Sequence, residues 1–207
     1  MSSRWIRIAL VTLALLPAPA LAQDATEPHL AALLASEAHR AAVIKVATDQ
    51  AAALPDACPD ASFRPTGDIA FFLPPQVDGA GRVVHGLWRE QVTAIGCGTI
   101  QLLNVFSLAG STGEPRLLGG LPGTTRADLV MQKDGLAIAI GGLPAAAADC
   151  RDTRVVDTAL APDAPQDRRS AWRETWIVLA CDKAYPVALR FTPTPEGATI
   201  ALDAAQP

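Results

Sequence analysis

Beyond its first 22 residues the chain has no apolar run long enough to cross a bilayer, which takes roughly 20 residues, and no cluster of lysine or arginine. The first absence argues against a membrane span in that part. The second argues against nucleic acid as a partner, because such binding needs grouped cations to displace counterions. C-x-x-C is missing too, which speaks against a thioredoxin-type redox centre and the usual paired zinc ligands. Histidine is scarce, at His29, His39 and His85. His29 and His39 stand roughly three helical turns apart, too far to share a metal unaided. H-E-x-x-H, G-x-S-x-G and S-x-x-K are all absent. Ala109 to Gly113 has the glycines of a phosphate cradle but no lysine at P-loop spacing, so it reads as a turn, as does Gly79-Ala80-Gly81. No catalytic residue, metal or cofactor is expected on these grounds.

What is present begins at the N-terminus. Arg4 and Arg7 precede the apolar stretch Ile8–Leu16, followed by Pro17, Pro19 and the small-residue site Ala20-Leu21-Ala22. This is the layout of a cleavable secretory signal over 1–22, with the mature chain starting near Gln23. Gln23 stands where a lipoprotein would need cysteine. Losing two arginines makes the remainder more acidic than the −4 of the whole chain. Its richness in alanine and proline and its few lysines fit a high-GC bacterium, so the expected location is the periplasm, or secretion. In such an oxidising compartment Cys58, Cys97, Cys150 and Cys181 are expected to form two disulfides.

One pattern occurs twice. Trp88-Arg89-Glu90 precedes Cys97, and Trp172-Arg173-Glu174 precedes Cys181 at the same offset. Each copy reads as a β-hairpin. In the second, Trp172, Glu174, Trp176 and Val178 share one strand face. Cys-Gly-Thr and Cys-Asp-Lys supply the turns. Upstream of each hairpin lie a helical segment, a cysteine and a strand candidate. The first helix is expected over Glu27–Leu54, capped by Thr26 and stopped by Pro55. Its apolar stripe would run through Leu30, Leu33, Leu34, Ala41, Ile44, Ala47, Ala51 and Leu54. The second is expected over Ala127–Ala148, capped by Thr124 or Thr125 and divided by Gly135, Gly141, Gly142 and Pro144. The strand candidates are Gly67–Leu73 and Thr153–Leu160, with Leu117, Leu118 and Leu121 in a further strand or linker.

The expected architecture is α+β: two repeats, over 23–123 and 124–207, in one compact domain. Each repeat contributes a helix, a strand and a hairpin to one continuous antiparallel sheet with helices packed on one face. Equivalent positions in equivalent repeats favour Cys58–Cys97 and Cys150–Cys181, although swapped pairings stay open. Each bridge would add roughly 3–4 kcal/mol in the chain-entropy view.

The hairpin pattern W-x-E-x-[WV]-x-x-x-x-C, followed by a strand ending in Phe191-Thr192-Pro193, resembles a group of uncharacterised exported proteobacterial proteins. The resemblance covers mainly the two hairpins and implies no activity. The layout is also similar to tandem helix-plus-sheet inhibitors of secreted enzymes, a likeness of architecture that transfers no function.

Five residues form the candidate site: Trp88, Glu90, Trp172, Glu174 and Trp176. The rings either pack in the core or offer a stacking platform to a ligand. The two glutamates pair with an arginine such as Arg89, Arg173 or Arg190, or face solvent, or sit desolvated among the rings, where a raised pKa would suit acid–base work. A pseudo-two-fold arrangement would bring the glutamates together. The expected function is a non-catalytic periplasmic module that binds an envelope protein or small ligand. The alternative is a small envelope enzyme using Glu90 or Glu174 as acid or base.

Overall fold

The computed structural model of the protein describes residues 26–147, 149–195 and 197–203. The signal segment 1–22 lies outside the described residues. The elements are α1 (Thr26–Ala35), α2 (Glu37–Ala52), β1 (Ser62–Val77), β2 (Val83–Gly96), β3 (Thr99–Ala109), β4 (Arg116–Gly119), α3 (Leu129–Gly141), a 3-10 turn (Ala145–Ala147), β5 (Thr153–Leu160), β6 (Trp172–Ala180), β7 (Lys183–Thr194) and β8 (Gly197–Leu202). The molecule is mainly β. No described helix is long and apolar enough to cross a membrane.

The strands form two antiparallel sheets, ordered β1-β2-β3-β4 and β5-β6-β7-β8. This corrects the expectation of one continuous sheet. The cause is the short β4 together with the segment after it. β4 pairs with β3 only over Val105–Leu108. The chain then runs as an irregular connection, 120–128, between the facing edges of β3 and β5. On one side the N–H groups of Gly120 and Gly123 donate to the carbonyls of Asn104 and Leu102. On the other, the Thr124 N–H donates to the Thr158 carbonyl. The connection therefore satisfies both edges and keeps them from pairing with each other. β8, the fourth strand of the second sheet, was not among the sequence expectations, and β1 extends beyond Gly67–Leu73 at both ends.

Both repeated hairpins close through a two-residue loop in which both residues have positive φ: Cys97 (50°) and Gly98 (76°), and Cys181 (48°) and Asp182 (59°). This backbone matches the right-handed twist of the flanking strands. The loop cysteines bond back to the cysteines ahead of each sheet, giving Cys58–Cys97 and Cys150–Cys181 with sequence separations of 39 and 31. Each bridge ties a hairpin tip to the segment that succeeds a helix.

The first helical segment is two helices rather than one. At Ser36 the backbone turns extended (φ −64°, ψ 141°), its hydroxyl donates to the Leu33 carbonyl, and it accepts the His39 N–H. Ser36 thus serves as an N-cap for α2. The break shifts the buried stripe to His39, Val43, Ala47 and Ala51, an i, i+4 series, and turns Ala41 to solvent. Val43, Ala47 and Ala51 pack with Val92, Ala94, Leu103 and Val105 of β2 and β3.

α3 also starts later than expected. Its cap is Asp128, whose carboxylate accepts the Met131 N–H, and neither Thr124 nor Thr125 serves. Gly135 does not interrupt it. A Cβ on Gly135 would stand 2.6 Å from the Trp176 ring, so this glycine permits close approach of helix and sheet. The second core is built around Trp172, Trp176, Val178, Leu189 and Phe191, with Ala139 from α3. Trp172 stacks on Phe191 with ring centres 5.0 Å apart.

Candidate functional site

Residues two apart on a strand face the same side. W-x-E thereby sets an indole N–H beside a carboxylate, and in both hairpins the bond forms. Trp88 Nε1 donates to Glu90 Oε1 at 3.1 Å, and Trp172 Nε1 donates to Glu174 Oε1 at 2.8 Å. Among the described residues neither glutamate pairs with an arginine. Arg173 pairs with Asp163 at 2.7 Å, Arg89 donates to the Thr125 carbonyl, and Arg190 is exposed. From this shared start the two sites diverge.

Glu174 is enclosed, with 1% of its surface exposed. It accepts three further bonds: from Trp176 Nε1 and Thr125 Oγ1 at Oε2 (2.8 and 2.7 Å), and from the Arg126 backbone N–H at Oε1 (2.8 Å). Four donors on two oxygens leave little room for a substrate atom. The donors come from β6 and from the connection, so this carboxylate joins sheet and connection. Arg89 approaches the same point from the first sheet through Thr125. Burial pulls the pKa of its guanidinium down, and the charge of Arg168 adds to that. Asp68 and Glu174 act in the opposite direction. Arg89 Nε is buried without a partner among the described residues.

Glu90 is less enclosed. His39 Nε2 stands 2.7 Å from its Oε1, and Ser107 Oγ donates to the same oxygen at 3.3 Å. All three bonds fall on Oε1, and Oε2 has no donor among the described residues. The His39 side chain is 4% exposed and that of Glu90 13%. Glu90 borders a cavity of about 270 Å³ walled by Leu34, Val43 and Ile69, with Arg40 and Asp68 at its polar side. A wider groove of about 870 Å³ adjoins it, sharing Arg40, Pro65 and Gly67. A histidine held by a carboxylate is the orienting half of an acid–base pair. Ser107, the hydroxyl in reach, is fully buried. Among the described residues no three His, Cys, Asp or Glu side chains group closely enough to hold a metal.

The five sequence candidates therefore fall in two places. Trp88 and Glu90 sit on the first sheet, and Trp172, Glu174 and Trp176 on the second. No hydrogen bond joins the two glutamates. The three rings are buried, at 0%, 5% and 0% exposure, and their N–H groups are taken by the glutamates. His39 was missed as the partner of Glu90. Its signal was Ser36, whose capping reset the phase of α2 and turned His39 inward. Thr125 and Arg126 were missed as partners of Glu174, and nothing local in the sequence marks them. No family model, no curated protein and no solved structure matches this chain.

Proposed function

We propose that the protein is exported through cleavage of residues 1–22 and acts in the periplasm as a non-catalytic binding module. The observation that carries this reading is the saturation of Glu174. The more conspicuous copy of the repeated motif spends its carboxylate on four internal donors, which is the use a scaffold makes of a buried charge. Two disulfides are compatible with an oxidising compartment. The same strand order in both sheets, the same positive-φ hairpin loop and the same cysteine placement support an internal duplication of 23–123 and 124–207. The bonds from 120–126 to both sheets support reading the repeats as one domain. The His39–Glu90 contact and the close approach of Gly135 to Trp176 support a helix on the Trp–Glu face of each sheet.

Intact mass of the protein recovered from a periplasmic fraction tests export. The expected mass begins at Gln23, and a chain retaining Met1 in the cytoplasmic fraction would contradict it. A hydrolase screen with Glu90→Gln as control tests the absence of catalysis.

One observation favours the second reading, a small envelope enzyme. Glu90, held by His39, borders a cavity, and its Oε2 has no donor among the described residues. Turnover abolished by Glu90→Gln with the unfolding midpoint retained would establish that reading over the first.

A further inference from the structure

The gap between the two sheets is only partly filled. Over Leu102–Asn104 and Thr158 the connection occupies it and bonds to both edges. Beyond that stretch the connection turns away. Alternation along β3 carries the outward series from Asn104 and Leu102 to Ile100. Among the described residues no strand pairs there, and Ile100 is 76% exposed. On the other side β5 is an edge strand, and its outer side over Thr153–Val156 is likewise unpaired by any strand. A groove of about 790 Å³ runs along Thr99–Leu102 of β3 and Val156–Ala159 of β5 and continues over Ile177, Leu179 and Ala184 of β6 and β7; of the unpaired β5 stretch, Val156 borders it. Its apolar wall includes Ile100, Leu102 and Ile177, and its charged groups are Asp56, Asp157 and Asp182. Among the described residues no lysine, arginine or histidine lines it. The nearby cations are engaged elsewhere: Arg154 pairs with Asp152, and Lys183 lies over the Tyr185 ring.

We propose that this inter-sheet groove receives an extended peptide segment of an exported partner, bearing alternating basic and apolar side chains. The inference rests on the binding-module reading above and gives its partner a chemistry. Three features select that occupant. Unpaired strand edges present backbone donors and acceptors that an added extended chain satisfies. The connection, although irregular, shows that main chain fits between the two edges and bonds to both. The groove carries negative charge with none of the opposite sign, so a basic segment complements it and an acidic one is repelled. Burial holds the Asp157 carboxyl above its usual range, so a nearby cation would favour its ionised form.

The test uses the oxidised protein and a fluorescent synthetic peptide alternating lysine and valine, monitored by anisotropy. Saturable binding is expected, with affinity falling as salt rises. The glutamate–valine counterpart is expected not to bind. A lysine–valine peptide N-methylated at alternate residues is expected to bind at least about tenfold more weakly, because the pairing N–H groups are gone. Combining Asp56→Asn, Asp157→Asn and Asp182→Asn is expected to weaken binding about tenfold. Equal binding of the acidic or N-methylated peptide overturns the proposal, and those two arms need no altered protein. Dimerisation of the protein abolished by the same three substitutions would give the groove to a second copy and also overturn it. Peptide that stays intact and unbound defeats the groove and leaves the module reading standing. Peptide that binds and is cleaved defeats the non-catalytic reading and leaves the groove standing.

Discussion

The two W-x-E hairpins begin alike and finish differently. In each, a strand sets a tryptophan N–H on a glutamate two residues on. In the second half the connection folds over the carboxylate and supplies a hydroxyl and a backbone N–H, and a second indole completes the set. In the first half a histidine from α2 meets one oxygen, and Glu90 borders a cavity. The same short motif therefore does not determine whether a carboxylate becomes internal cement or borders a cavity. The segment that passes over the strand decides that. For the second half the covering segment is 124–126, and for the first it is a helix re-aimed at Ser36.

This contrast is open to attack at several points, of which the disulfides promise the largest effect. Replacing Cys150 and Cys181 by serine is expected to cost about 4 kcal/mol, and replacing Cys58 and Cys97 about the same, because the loops are of similar length. Urea denaturation measures both. A large inequality would show that the halves differ in more than their glutamates.

Gly135→Ala comes next. Intrinsic helix propensity favours alanine by about 1 kcal/mol. Against that, the new Cβ would meet the Trp176 ring at 2.6 Å, and overpacking of this kind costs about 1–3 kcal/mol. Net destabilisation is expected. A stabilised variant would mean that α3 does not press on the second sheet as described.

Ser36→Ala removes the cap of α2 and is expected to cost about 1 kcal/mol. Its more telling readout is His39, whose ring resonances should shift if the break aligns the ring with Glu90. Unchanged resonances would detach the cap from the site.

The smallest effect concerns Asp157, whose carboxyl partial burial holds above its usual range. For an acid raised in the folded state, ionisation is easier in the unfolded chain. Stability attributable to this group is therefore lost as pH rises through the raised range and regained as pH falls towards the ordinary carboxylate value. Asp157→Asn should accordingly raise the unfolding midpoint slightly at neutral pH and do nothing at acidic pH. A lowered midpoint at neutral pH would reverse the assignment.

Much of the local structure was legible in the sequence because local rules produce it. Period-two alternation in Trp172–Ala180 marks β6, and its burial alternates residue by residue. The turn chemistry of Cys97-Gly98 and Cys181-Asp182 marks the hairpins, and the equivalence of the two copies selected the disulfide pairing now observed. The features that escaped were set by tertiary context. Gly135 carries the composition of a breaker, yet it lies within a helix because a tryptophan from another element needs the space. A single sheet was the simplest outcome for two adjacent repeats, and a short β4 with a returning connection prevented it. The partners of Glu174 come from Thr125 and Arg126, distant in sequence and without a local pattern. Glu90 was identified, but its histidine was not, because the phase of α2 depends on a capping serine inside an apparently continuous helix.

The central claim is that Glu174 is internal structure and Glu90 borders the accessible site. Urea denaturation of Glu174→Gln beside Glu90→Gln in the oxidised protein tests it most directly. An amide at Glu174 sets its NH₂ against donors that have nowhere else to turn, so a loss of about 3–5 kcal/mol is expected. At Glu90 the amide oxygen can keep the bonds now made at Oε1, and a loss of about 1 kcal/mol is expected. Equal losses, or a larger loss at Glu90, would contradict the account.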